Sequence, residues 1–419
     1  MFLTHEEVEA VRDQFGTPCY VYDRATLVEA ARRAHAFPCA FELTVRYALK
    51  ANSNRALLAV IRAEGIAADA SSDFEVERAL RAGFAPDAIL LTSQTPSRRL
   101  AEFVGRGVRY NACSLHQLDR FGAAFPGRAV TIRVNPGLGS GAANRVNTGG
   151  PASSFGIWHE RLPEATAIAA RHRVTIRGLH THIGSGSDPE VWTRVAGMVL
   201  VIADRLPDVR AVSLGGGFKV ARMPEERGTD LEAVGLAVRD RFLEYQRRTG
   251  RALDLEIEPG AYLVANAGAI VSSCVDVVET GAGGYRFAKL DAGMTELLRP
   301  SLYGAQHPIE VVGAAENGAA GSRARAAIVF VGPSCETGDI LTPAPGDPEG
   351  ILPREAPSPA IGDLVVIGGA GAYAASMAAT NYNSYPSAPE VLREAEGRFR
   401  LVRRRQALEQ VLANEVDGD

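Results

Sequence analysis

Several side chains with useful chemistry follow short apolar runs in this sequence, at the positions where predicted strands end. They are Lys50, Asp69, His180, His182, Gly215, Gly216, Gly217 and Glu258. A lysine that loses water after an apolar strand can serve as an amine nucleophile, because desolvation lowers the pKa of an ammonium group. Three successive glycines allow backbone N–H groups to approach a phosphate closely. A random scatter of residue types would not bring these groups to one set of strand ends.

Each of these residues also has an ordinary structural explanation. Lys50 could be a solvated surface charge, the glycines could form a tight turn, and Glu258 could simply end a strand. The combination is more specific than any of its members. An amine, a phosphate cradle, an imidazole that stacks on a ring and a carboxylate that keeps a ring nitrogen protonated together describe a pocket for pyridoxal phosphate.

The pair His180 and His182 supports a second interpretation, the start of a zinc or iron site in a barrel metallohydrolase. Such a site needs further His or Asp ligands at other strand ends and a metal-bound water. The other histidines of the chain do not follow predicted strands; they are His5, His35, His116, His159, His172 and His307. The sequence therefore favours a site without metal, and the metal alternative stays open at this point.

These side chains need a scaffold that brings strand ends together, and the first two thirds of the chain predict one. Short β-rich runs alternate there with segments in which apolar residues recur at helical spacing. The runs are VRYALKA, IAADAS, AILLTS, VRYNAC, AVTIRVN, IRGLHTHIG, AVSLGGGF and LDLEIEPG. Eight strands joined by crossover segments predict an α/β architecture, a parallel (β/α)8 barrel of the TIM type, in which catalytic groups collect at the carboxyl ends of the strands. The alternative architecture is an open, doubly wound sheet.

The pattern changes after Ala265, where strand-like runs follow one another with Gly, Pro and Asn between them. This part predicts a mostly antiparallel β-sandwich or β-barrel domain. Residues 342–359 are rich in Pro and Gly and predict a surface loop. We therefore expect residues 1–24 to form an N-terminal segment that packs on the β domain. Residues 25–265 should form the barrel, and residues 266–419 the β domain.

The composition narrows the classes of function. The 419 residues carry 45 basic and 49 acidic side chains, and this net charge of −4 argues against a nucleic-acid or anionic-membrane partner. The N-terminal sequence MFLTHEEVEAVRDQF lacks the pattern of a secretion signal, and no apolar run approaches the ~20 residues of a membrane span. We therefore expect the protein in the cytoplasm. The five cysteines are far apart and predict neither a disulfide framework nor a zinc knuckle.

Seven motifs carry a resemblance to a known family. In chain order they are YALKANSN, HTHIGSGSD, LGGGF, EIEPGA, LLRPSLYGAQHPI, GPSCETGD and GAYAASMAATNYNSYP. They resemble the alanine-racemase-fold (fold type III) decarboxylases that depend on pyridoxal phosphate, and they are most similar to the diaminopimelate decarboxylase family. The resemblance covers nearly the whole chain, from Tyr22 to Gln406. It implies the decarboxylation of an amino acid, in that family meso-diaminopimelate to L-lysine.

The resemblance also implies a role for each matching residue around the cofactor. Lys50 would hold pyridoxal phosphate covalently, with Asp69 beside it to help position it. His182 would lie against one face of the cofactor ring, and Glu258 would pair with the pyridine nitrogen. The phosphate would be bound by Ser185, by the backbone of Gly215, Gly216 and Gly217, and by Tyr373.

Four further positions are implied to bind the substrate or to complete the site. Arg299 and Tyr303 would address the far end of the substrate. Cys335 and Glu336 would reach into the active site of the partner subunit, so that the functional unit would be a homodimer with shared sites. Cys335 would return a proton to the α-carbon, a role that suits a thiol in a closed pocket. The alternative for Cys335 is a buried structural thiol.

One departure from the family pattern concerns substrate choice. The motif after the eighth strand normally reads EPGR, whereas here it reads EPGA, with Ala261 in the last position. In the family that arginine helps to hold the distal carboxylate, and a charge-assisted contact of this kind is worth about 1.5–3 kcal/mol. Either another basic residue such as Arg299 carries the carboxylate, or the chain decarboxylates a different or conjugated amino acid. We favour the first hypothesis because Arg299, Tyr303 and Glu336 remain.

Two other classes of protein share the barrel. An amino-acid racemase of this fold would lack the GPSCETGD motif and would use a tyrosine base from the β domain. A regulatory homologue that binds pyridoxal phosphate without catalysis would be expected to have lost cofactor residues. Since Lys50, His182 and Glu258 are all present, the sequence favours an enzyme.

Overall fold

A computed structural model of the chain describes residues 1–138, 148–182, 184, 186–312 and 323–416. The strands are β1 (Cys19–Asp23), β2 (Leu43–Ala48), β3 (Ala67–Ala70), β4 (Ile89–Leu91), β5 (Arg109–Ala112), β6 (Ala129–Asn135), β7 (Ile157–Trp158), β8 (Thr175–His180), β9 (Ala211–Ser213), β10 (Asp254–Ile257), β11 (Gly268–Glu279), β12 (Arg286–Leu290), β13 (Ile309–Val312), β14 (Arg325–Val331), β15 (Pro343–Ala344), β16 (Asp347–Ile351), β17 (Arg354–Pro357), β18 (Leu364–Ile367), β19 (Glu390–Arg393) and β20 (Phe399–Arg403). The helices are α1 (His5–Phe15), α2 (Arg24–His35), α3 (Arg55–Ala63), α4 (Asp73–Arg81), α5 (Leu100–Gly105), α6 (Leu115–Ala124), α7 (Leu162–His172), α8 (Pro189–Asp204), α9 (Leu231–Thr249), α10 (Ala261–Val264), α11 (Arg299–Tyr303) and α12 (Leu408–Leu412). Within these described ranges, no helix is long and apolar enough to cross a membrane.

The chain divides into two compact units. We call the first the barrel unit; it comprises Val28–Val220 and Arg227–Leu263. We call the second the β unit; it comprises Met1–Leu27, Ala221–Glu226 and Val264–Asp419. The domain limits expected from the sequence, at residues 24 and 265, stay predictions, which limited proteolysis of the purified protein would test.

The barrel unit is built on a closed sheet of eight parallel strands. Neighbouring strands follow the order β5-β4-β3-β2-β10-β9-β8-β6, and β5 also pairs with β6. All of these pairings are parallel. The short strand β7 extends the sheet beside β6. The predicted (β/α)8 barrel is confirmed, and the open doubly wound sheet is wrong, because an open sheet would leave β5 and β6 as separate edges.

Capping residues fix where the helices around the barrel begin. The side chains of Asn54, Ser72, Ser114, Asp188 and Asp230 each accept a hydrogen bond from a backbone N–H in the first turn of α3, α4, α6, α8 or α9. These N–H groups have no partner within the helix itself, so a cap stabilises the helix start. At Ser72 and Ser114 the cap follows the carboxyl end of its strand by two residues, so it also holds the loop between strand and helix.

An ion network joins three strands of the barrel; Glu256 and Arg46 are buried in it, whereas the Arg109 side chain is 40% exposed. The side chain of Glu256 accepts hydrogen bonds from Arg46, on β2, and from Arg109, the first residue of β5. The Nη2 atom of Arg46 and the Nη1 atom of Arg109 are each 3.2 Å from the same carboxylate oxygen, Oε1. Around this network the interior is apolar; α3, for example, buries one face composed of Leu57, Leu58, Val60 and Ile61.

The β unit is built on a mostly antiparallel sheet, which confirms the predicted β domain. Its strands follow the order β17-β14-β12-β11-β1-β19-β20, with β18 beside β11 and β13 beside β18. The pairings of β1 with β19 and of β12 with β14 are parallel, and the others are antiparallel. The long strand β11 pairs with β1 and β18 through its first residues and with β12 through its last.

The N-terminal residues pack within the β unit. Thr4 and Glu7 form a capping box at the start of α1, in which each side chain accepts the other residue's backbone N–H. The helix then directs Val8 and Val11 into an apolar cluster. The other buried members of the cluster are Leu3, Cys19, Val21, Ala269, Val271, Val312, Leu364, Val366 and Val391.

The expectation of a surface loop at residues 342–359 is wrong. Strands β15 and β16 form a hairpin there, with Gly346 at φ 76° in the turn, and β17 pairs with β14. Proline is tolerated in these strands because β15 and β16 form a two-stranded ribbon and β17 lies at the edge of its sheet, where an N–H is not always needed. Composition alone does not show which N–H groups a strand must pair.

Candidate active site

Lys50 lies in a single helical turn immediately after β2. The strand ends at Ala48, and the 3₁₀ turn spans Leu49–Ala51. The Tyr47 hydroxyl donates a hydrogen bond of 2.8 Å to the carbonyl of Asn52, which fixes the backbone across the turn. The side chain of Lys50 is exposed. The desolvation expected from the sequence is therefore absent, and the amine is accessible instead.

Asp69 lies beside this turn, on the neighbouring strand. It pairs in register with Ala48, and its side chain is buried. Burial, followed by the negative charge of Glu258, raises the pKa of Asp69 to about 7, while the charge of Lys50 acts in the opposite direction. The Oδ1 atom of Asp69 has no hydrogen-bond partner among the described residues. Near neutral pH the Asp69 carboxyl group is therefore partly protonated, and it lies next to the turn that carries Lys50.

Glu258 is a buried carboxylate held from two sides. Its Oε2 atom is 2.8 Å from Nε2 of His180, and its Oε1 atom accepts a hydrogen bond of 2.8 Å from the Ser213 hydroxyl. Ser213 in turn accepts the backbone N–H of Gly215 at 3.1 Å. Although burial raises the pKa of Glu258, the charge and hydrogen bond of His180 and the Ser213 hydroxyl lower it to about 2. The carboxylate is therefore ionised and oriented.

His182 lies two residues beyond the end of β8 and is held neutral. Burial, followed by the charges of Lys50 and Arg133, lowers the pKa of His182 well below its usual range. Its Nδ1 atom is buried and has no partner in the described part of the chain. The Thr148 hydroxyl donates a hydrogen bond of 3.1 Å to the His182 carbonyl and so helps to fix the backbone.

The glycine triplet after β9 forms a turn that admits no side chain. A Cβ atom on Gly215 would lie 2.6 Å from the Thr181 carbonyl oxygen and 2.8 Å from the Cβ and Nδ1 atoms of His182. A Cβ atom on Gly216 would lie 2.3 Å from the carbonyl oxygen of Glu258. Gly217 has φ 104°, a conformation that other residues rarely adopt. The turn therefore presents bare backbone next to His182 and Glu258, as a phosphate cradle requires.

These groups of the barrel unit fit pyridoxal phosphate. An accessible amine, a neutral imidazole with an unpaired nitrogen, an ionised carboxylate and a glycine cradle match the amine, ring, ring nitrogen and phosphate that the cofactor presents. Ser185, expected at the phosphate, lies outside the described residues. Ala261, the position that departs from the family motif, begins α10 and is half-buried.

A second group of expected site residues lies together in the β unit. Arg299 begins α11 and Tyr303 ends it, and both are half-buried. Tyr373 has a positive φ of 54°. Burial lowers the pKa of Arg299, while the nearby Tyr373 and Tyr303 hydroxyls raise it. Arg222 joins this group, because the charge of Arg299 lowers its pKa and because Tyr373 and Glu226 act on both arginines.

Cys335 and Glu336 lie on an exposed turn that follows β14. The Asn383 side chain accepts the backbone N–H of Cys335 at 2.8 Å, and Glu336 accepts the backbone N–H of Gly338 at 3.1 Å. Both side chains are exposed, so the alternative of a buried structural thiol at Cys335 is wrong. Of the other cysteines, Cys39 is only half-buried, whereas the remaining three are buried.

The histidine pair does not form the beginning of a metal site in the described structure. Nε2 of His180 binds Glu258, and β8 ends at His180, so His182 does not continue the same face of the strand. No group of three or more His, Cys, Asp or Glu side chains among the described residues could hold a metal ion.

Two residues of these groups were not found from the sequence. Ser213 orients Glu258 and the glycine turn, but a serine inside a strand gives no signal without its neighbours. Arg222 lies soon after the glycine triplet, at a position where the sequence predicts no element. Its burial beside Arg299 could be found only from the folded chain.

Comparison with known proteins agrees with this geometry. Residues 25–265 match the family described as pyridoxal-dependent decarboxylase, pyridoxal binding domain. The chain is 38% identical to diaminopimelate decarboxylase of Streptomyces coelicolor, over 97% of this chain and 91% of that protein. It is also 38% identical to diaminopimelate decarboxylase of Escherichia coli K12, over 99% of this chain and 97% of that protein.

Solved structures show the same similarity. A crystal structure of diaminopimelate decarboxylase superimposes with a TM-score of 0.91 at 36% identity, over 98% of this chain and 96% of that one. The crystal structure of the Helicobacter pylori diaminopimelate decarboxylase complexed with L-lysine gives a TM-score of 0.86 at 27% identity, over 97% and 98% of the two chains. The resemblance inferred from the seven motifs is thereby confirmed.

Proposed function

This chain belongs to the diaminopimelate decarboxylase family of pyridoxal-dependent decarboxylases, and we propose that it converts meso-diaminopimelate into L-lysine and CO2. The observation that carries the proposal is the group at the carboxyl ends of the barrel strands. There an accessible lysine, a neutral imidazole, a glycine cradle and an ionised carboxylate lie close together. The substrate is inferred from the related enzymes, and assays of CO2 release test it.

The residues of the chain divide the work of holding the cofactor. Lys50 binds it covalently through Nζ, and Asp69 positions that amine. The phosphate is bound by the backbone of the glycine turn, by Ser185 and by Tyr373. When bound, pyridoxal phosphate supplies an electron sink for the electron pair that the departing carboxylate leaves behind.

Two side chains set the charge around the cofactor ring. Because the pKa of Glu258 is about 2, its carboxylate stays ionised at neutral pH and keeps a proton on the pyridine nitrogen. His182 stays neutral, because its pKa is far below the usual range. A neutral imidazole can lie on a positively charged ring without repulsion, whereas an imidazolium could not.

The remaining roles require a second copy of the chain and the far end of the substrate. Cys335 and Glu336 serve the active site of the partner subunit in a cytoplasmic homodimer, and the Cys335 Sγ returns a proton to the α-carbon. Their exposure on a turn of the β unit supports this role, and the Glu336 carboxylate is engaged there by its chain neighbours, among them the Gly338 N–H. Arg299 and Tyr303 address the distal carboxylate.

The first experiment is CO2 release from meso-diaminopimelate by protein reconstituted with pyridoxal phosphate. We expect turnover in the wild type and none in Lys50→Ala. The chain has only two other lysines, Lys219 and Lys289, which makes Lys219→Ala a matched control with wild-type turnover. Borohydride reduction followed by peptide mass mapping should place the cofactor on Lys50. Cofactor on another lysine, or turnover that survives Lys50→Ala, would refute the assignment.

A mixing experiment tests the shared active sites. Lys50→Ala and Cys335→Ala should each be inactive alone. After subunit exchange, we expect about a quarter of wild-type activity, because half of the dimers are hybrids and each hybrid restores one of its two sites. The control is a mixture of Lys50→Ala with Glu258→Gln, which should stay inactive because both residues serve the site of one subunit. No recovery in the first mixture would show that Cys335 acts in its own subunit or not at all.

Ala261 supports a second candidate, a decarboxylase for a different or conjugated amino acid. In this case the protein would bind the cofactor through Lys50 but release no CO2 from meso-diaminopimelate. Ala261→Arg tests the link to the substrate. If the variant leaves the turnover and KM for meso-diaminopimelate unchanged, the methyl group at this position has no bearing on the distal carboxylate.

A further inference from the structure

Two arginines of the β unit act electrostatically on the same surroundings: the charge of Arg299 lowers the pKa of Arg222, and both charges lower the pKa of buried His307. Arg222 belongs to the short segment Ala221–Glu226, and Arg299 begins α11. The Nε atom of Arg222 donates a hydrogen bond of 3.0 Å to the Gly369 carbonyl. A Cβ atom on Gly369 would lie 2.9 Å from the Cγ and Cδ atoms of Arg222, so the arginine side chain passes directly over this glycine. The position of the Arg222 guanidinium is therefore fixed by the fold.

Each of the two guanidinium groups has a buried hydrogen-bond donor without a partner among the described residues, the Nη2 atom of Arg222 and the Nε atom of Arg299 respectively. Nor does either arginine form an ion pair with any carboxylate that the structure describes. Burial, followed by the charge of Arg299, lowers the pKa of Arg222 only to about 9. Arg222 therefore stays charged at neutral pH.

The neighbouring groups do not compensate these charges fully. Glu226 is close enough to attract both guanidinium groups, but its Oε2 atom accepts the backbone N–H groups of Arg222 at 2.7 Å and Met223 at 3.4 Å. His307 is buried, and its Nδ1 atom is 2.9 Å from the Gly368 carbonyl oxygen. It is neutral, because burial holds its pKa far below the usual range. Two buried like charges with unused donors are costly unless an anion binds them.

We propose that Arg222 acts together with Arg299 in binding the carboxylate at the far end of the substrate, and so gives this chain a second guanidinium although its motif ends in Ala261. This inference rests on the proposed function and specifies its substrate class, amino acids that carry a second carboxylate. The Tyr303 and Tyr373 hydroxyls beside Arg299 offer further donors to the same anion or to its neighbour. A substrate with an amidated or uncharged far end would leave both charges unpaired.

The kinetic test compares three variants of the reconstituted enzyme. For Arg222→Gln we expect the KM for meso-diaminopimelate to rise about 10- to 100-fold, as loss of one charge-assisted contact predicts, with little change in kcat. Arg222→Lys keeps the charge but loses the planar guanidinium, so its KM should lie between the values of the wild type and Arg222→Gln. Arg227→Gln changes an exposed arginine of the same loop and should leave KM unchanged. The Gln variant is compared only if it melts cooperatively and takes up the cofactor; otherwise Arg222→Lys carries the comparison.

The two failures can be told apart. Wild-type turnover together with an unchanged KM in both Arg222 variants overturns the inference and leaves the proposed function intact. If the wild type releases no CO2, the proposed function fails, and the melting temperature of the holoenzyme replaces KM. The probes are then pimelate, the dicarboxylate with the same carbon chain, and its uncharged diamide. A rise in melting temperature with pimelate but not with the diamide, seen in the wild type and lost in Arg222→Gln, supports the carboxylate site. If pimelate has no effect, or raises the melting temperature of the wild type and of Arg222→Gln equally, the inference is overturned.

Discussion

Two glutamates of the barrel unit, Glu256 and Glu258, differ by two positions and serve two different regions of the barrel. Both residues are 5% exposed, so burial does not distinguish them. Glu256 lies on β10, whereas Glu258 follows the end of this strand. Glu256 belongs to the ion network within the strands, here called the lower layer, and Glu258 belongs to the candidate active site, here called the upper layer.

The partners of the two carboxylates explain the difference. Glu256 is paired with two guanidinium groups, those of Arg46 and Arg109, which lower its pKa although burial raises it. Glu258 is held instead by an imidazole and a hydroxyl, from His180 and Ser213. Around Glu258 several buried polar atoms have no partner in the described chain: Asp69 Oδ1, His180 Nδ1 and His182 Nδ1. A layer of paired permanent charges stabilises the barrel, whereas a layer with unused donors and acceptors can receive a ligand.

The largest effect is expected from removing the upper charge. Glu258→Gln keeps the size of the side chain and a group for Ser213 to bind, but it can no longer hold a proton on the ring nitrogen. We expect kcat for CO2 release to fall about 10²- to 10³-fold, the range for loss of one preorganised electrostatic partner. The melting temperature should fall as well, because the lowered pKa of Glu258 means that its ionised form stabilises the folded chain at neutral pH. Near-normal turnover in a variant that still binds the cofactor would remove Glu258 from the mechanism.

The matched change in the lower layer should reduce stability and leave the activity of the folded enzyme unchanged. Glu256→Gln removes the carboxylate from the fully buried Arg46 and from the partly exposed Arg109. Breaking a buried ion pair by removing one partner costs about 3–5 kcal/mol, so the free energy of unfolding should fall by this amount in a urea titration. The activity per folded molecule should stay close to that of the wild type. A strong loss of kcat without loss of stability would mean that the two layers are not separate.

The sequence could predict the upper layer better than the lower one, for a physical reason. Strand ends are visible as the limits of apolar runs, so Lys50, Asp69 and Glu258 could be placed at the barrel rim before the fold was known. Glu256 lies inside such a run, and nothing in the run identifies the two arginines that pair with it. These arginines are 210 and 147 positions away along the chain. Partners so distant become visible only when strands are in register.

The same reasoning explains what was missed or wrong elsewhere. The barrel and the β domain were predictable because alternation of elements depends on local pattern. Whether Lys50 is buried depends on atoms distant in sequence, and the expected desolvation was wrong. Residues 342–359 are strands because β14 supplies partners for β17, which composition does not reveal. Ser213 and Arg222 are ordinary residue types that acquire a role only from their neighbours in the fold.

A smaller effect is expected from the hydroxyl that supports Glu258. Ser213→Ala removes a hydrogen bond to Oε1 and the acceptor for the Gly215 N–H. A hydrogen bond to a charged group contributes about 1.5–3 kcal/mol. Because His180 still holds the other oxygen of Glu258, we expect kcat to fall only about tenfold. The acid limb of the pH–rate profile should also move upward, because the hydroxyl helps to lower the pKa of Glu258. A fall in kcat with an unmoved limb would indicate a role through the glycine turn instead.

The smallest effect concerns the pH dependence of stability. As the pH rises, the Glu258 carboxyl increases the free energy of unfolding, whereas the Asp69 carboxyl decreases it. The pKa of Glu258 is lowered to about 2, so its contribution is complete above about 4.5 and is lost only as the pH falls through 2. The pKa of Asp69 is raised to about 7 from the ordinary 3.8. Between these values the unfolded chain releases this proton while the folded chain keeps it, so the stability of the protein without cofactor falls as the pH rises toward 7.

Asp69→Asn removes this titration without adding a charge. Between pH 5 and pH 8 the variant should therefore gain stability relative to the wild type, because only the wild type must bury a carboxylate at the higher pH. In a chain of 419 residues each kcal/mol corresponds to about 1 °C in melting temperature, so the difference between variant and wild type should widen by a few degrees. The comparison is made on protein freed of cofactor, since bound cofactor changes the charge near Asp69. A difference that stays constant over this range would mean that Asp69 is already ionised at pH 5, and that Lys50 compensates it better than burial opposes it.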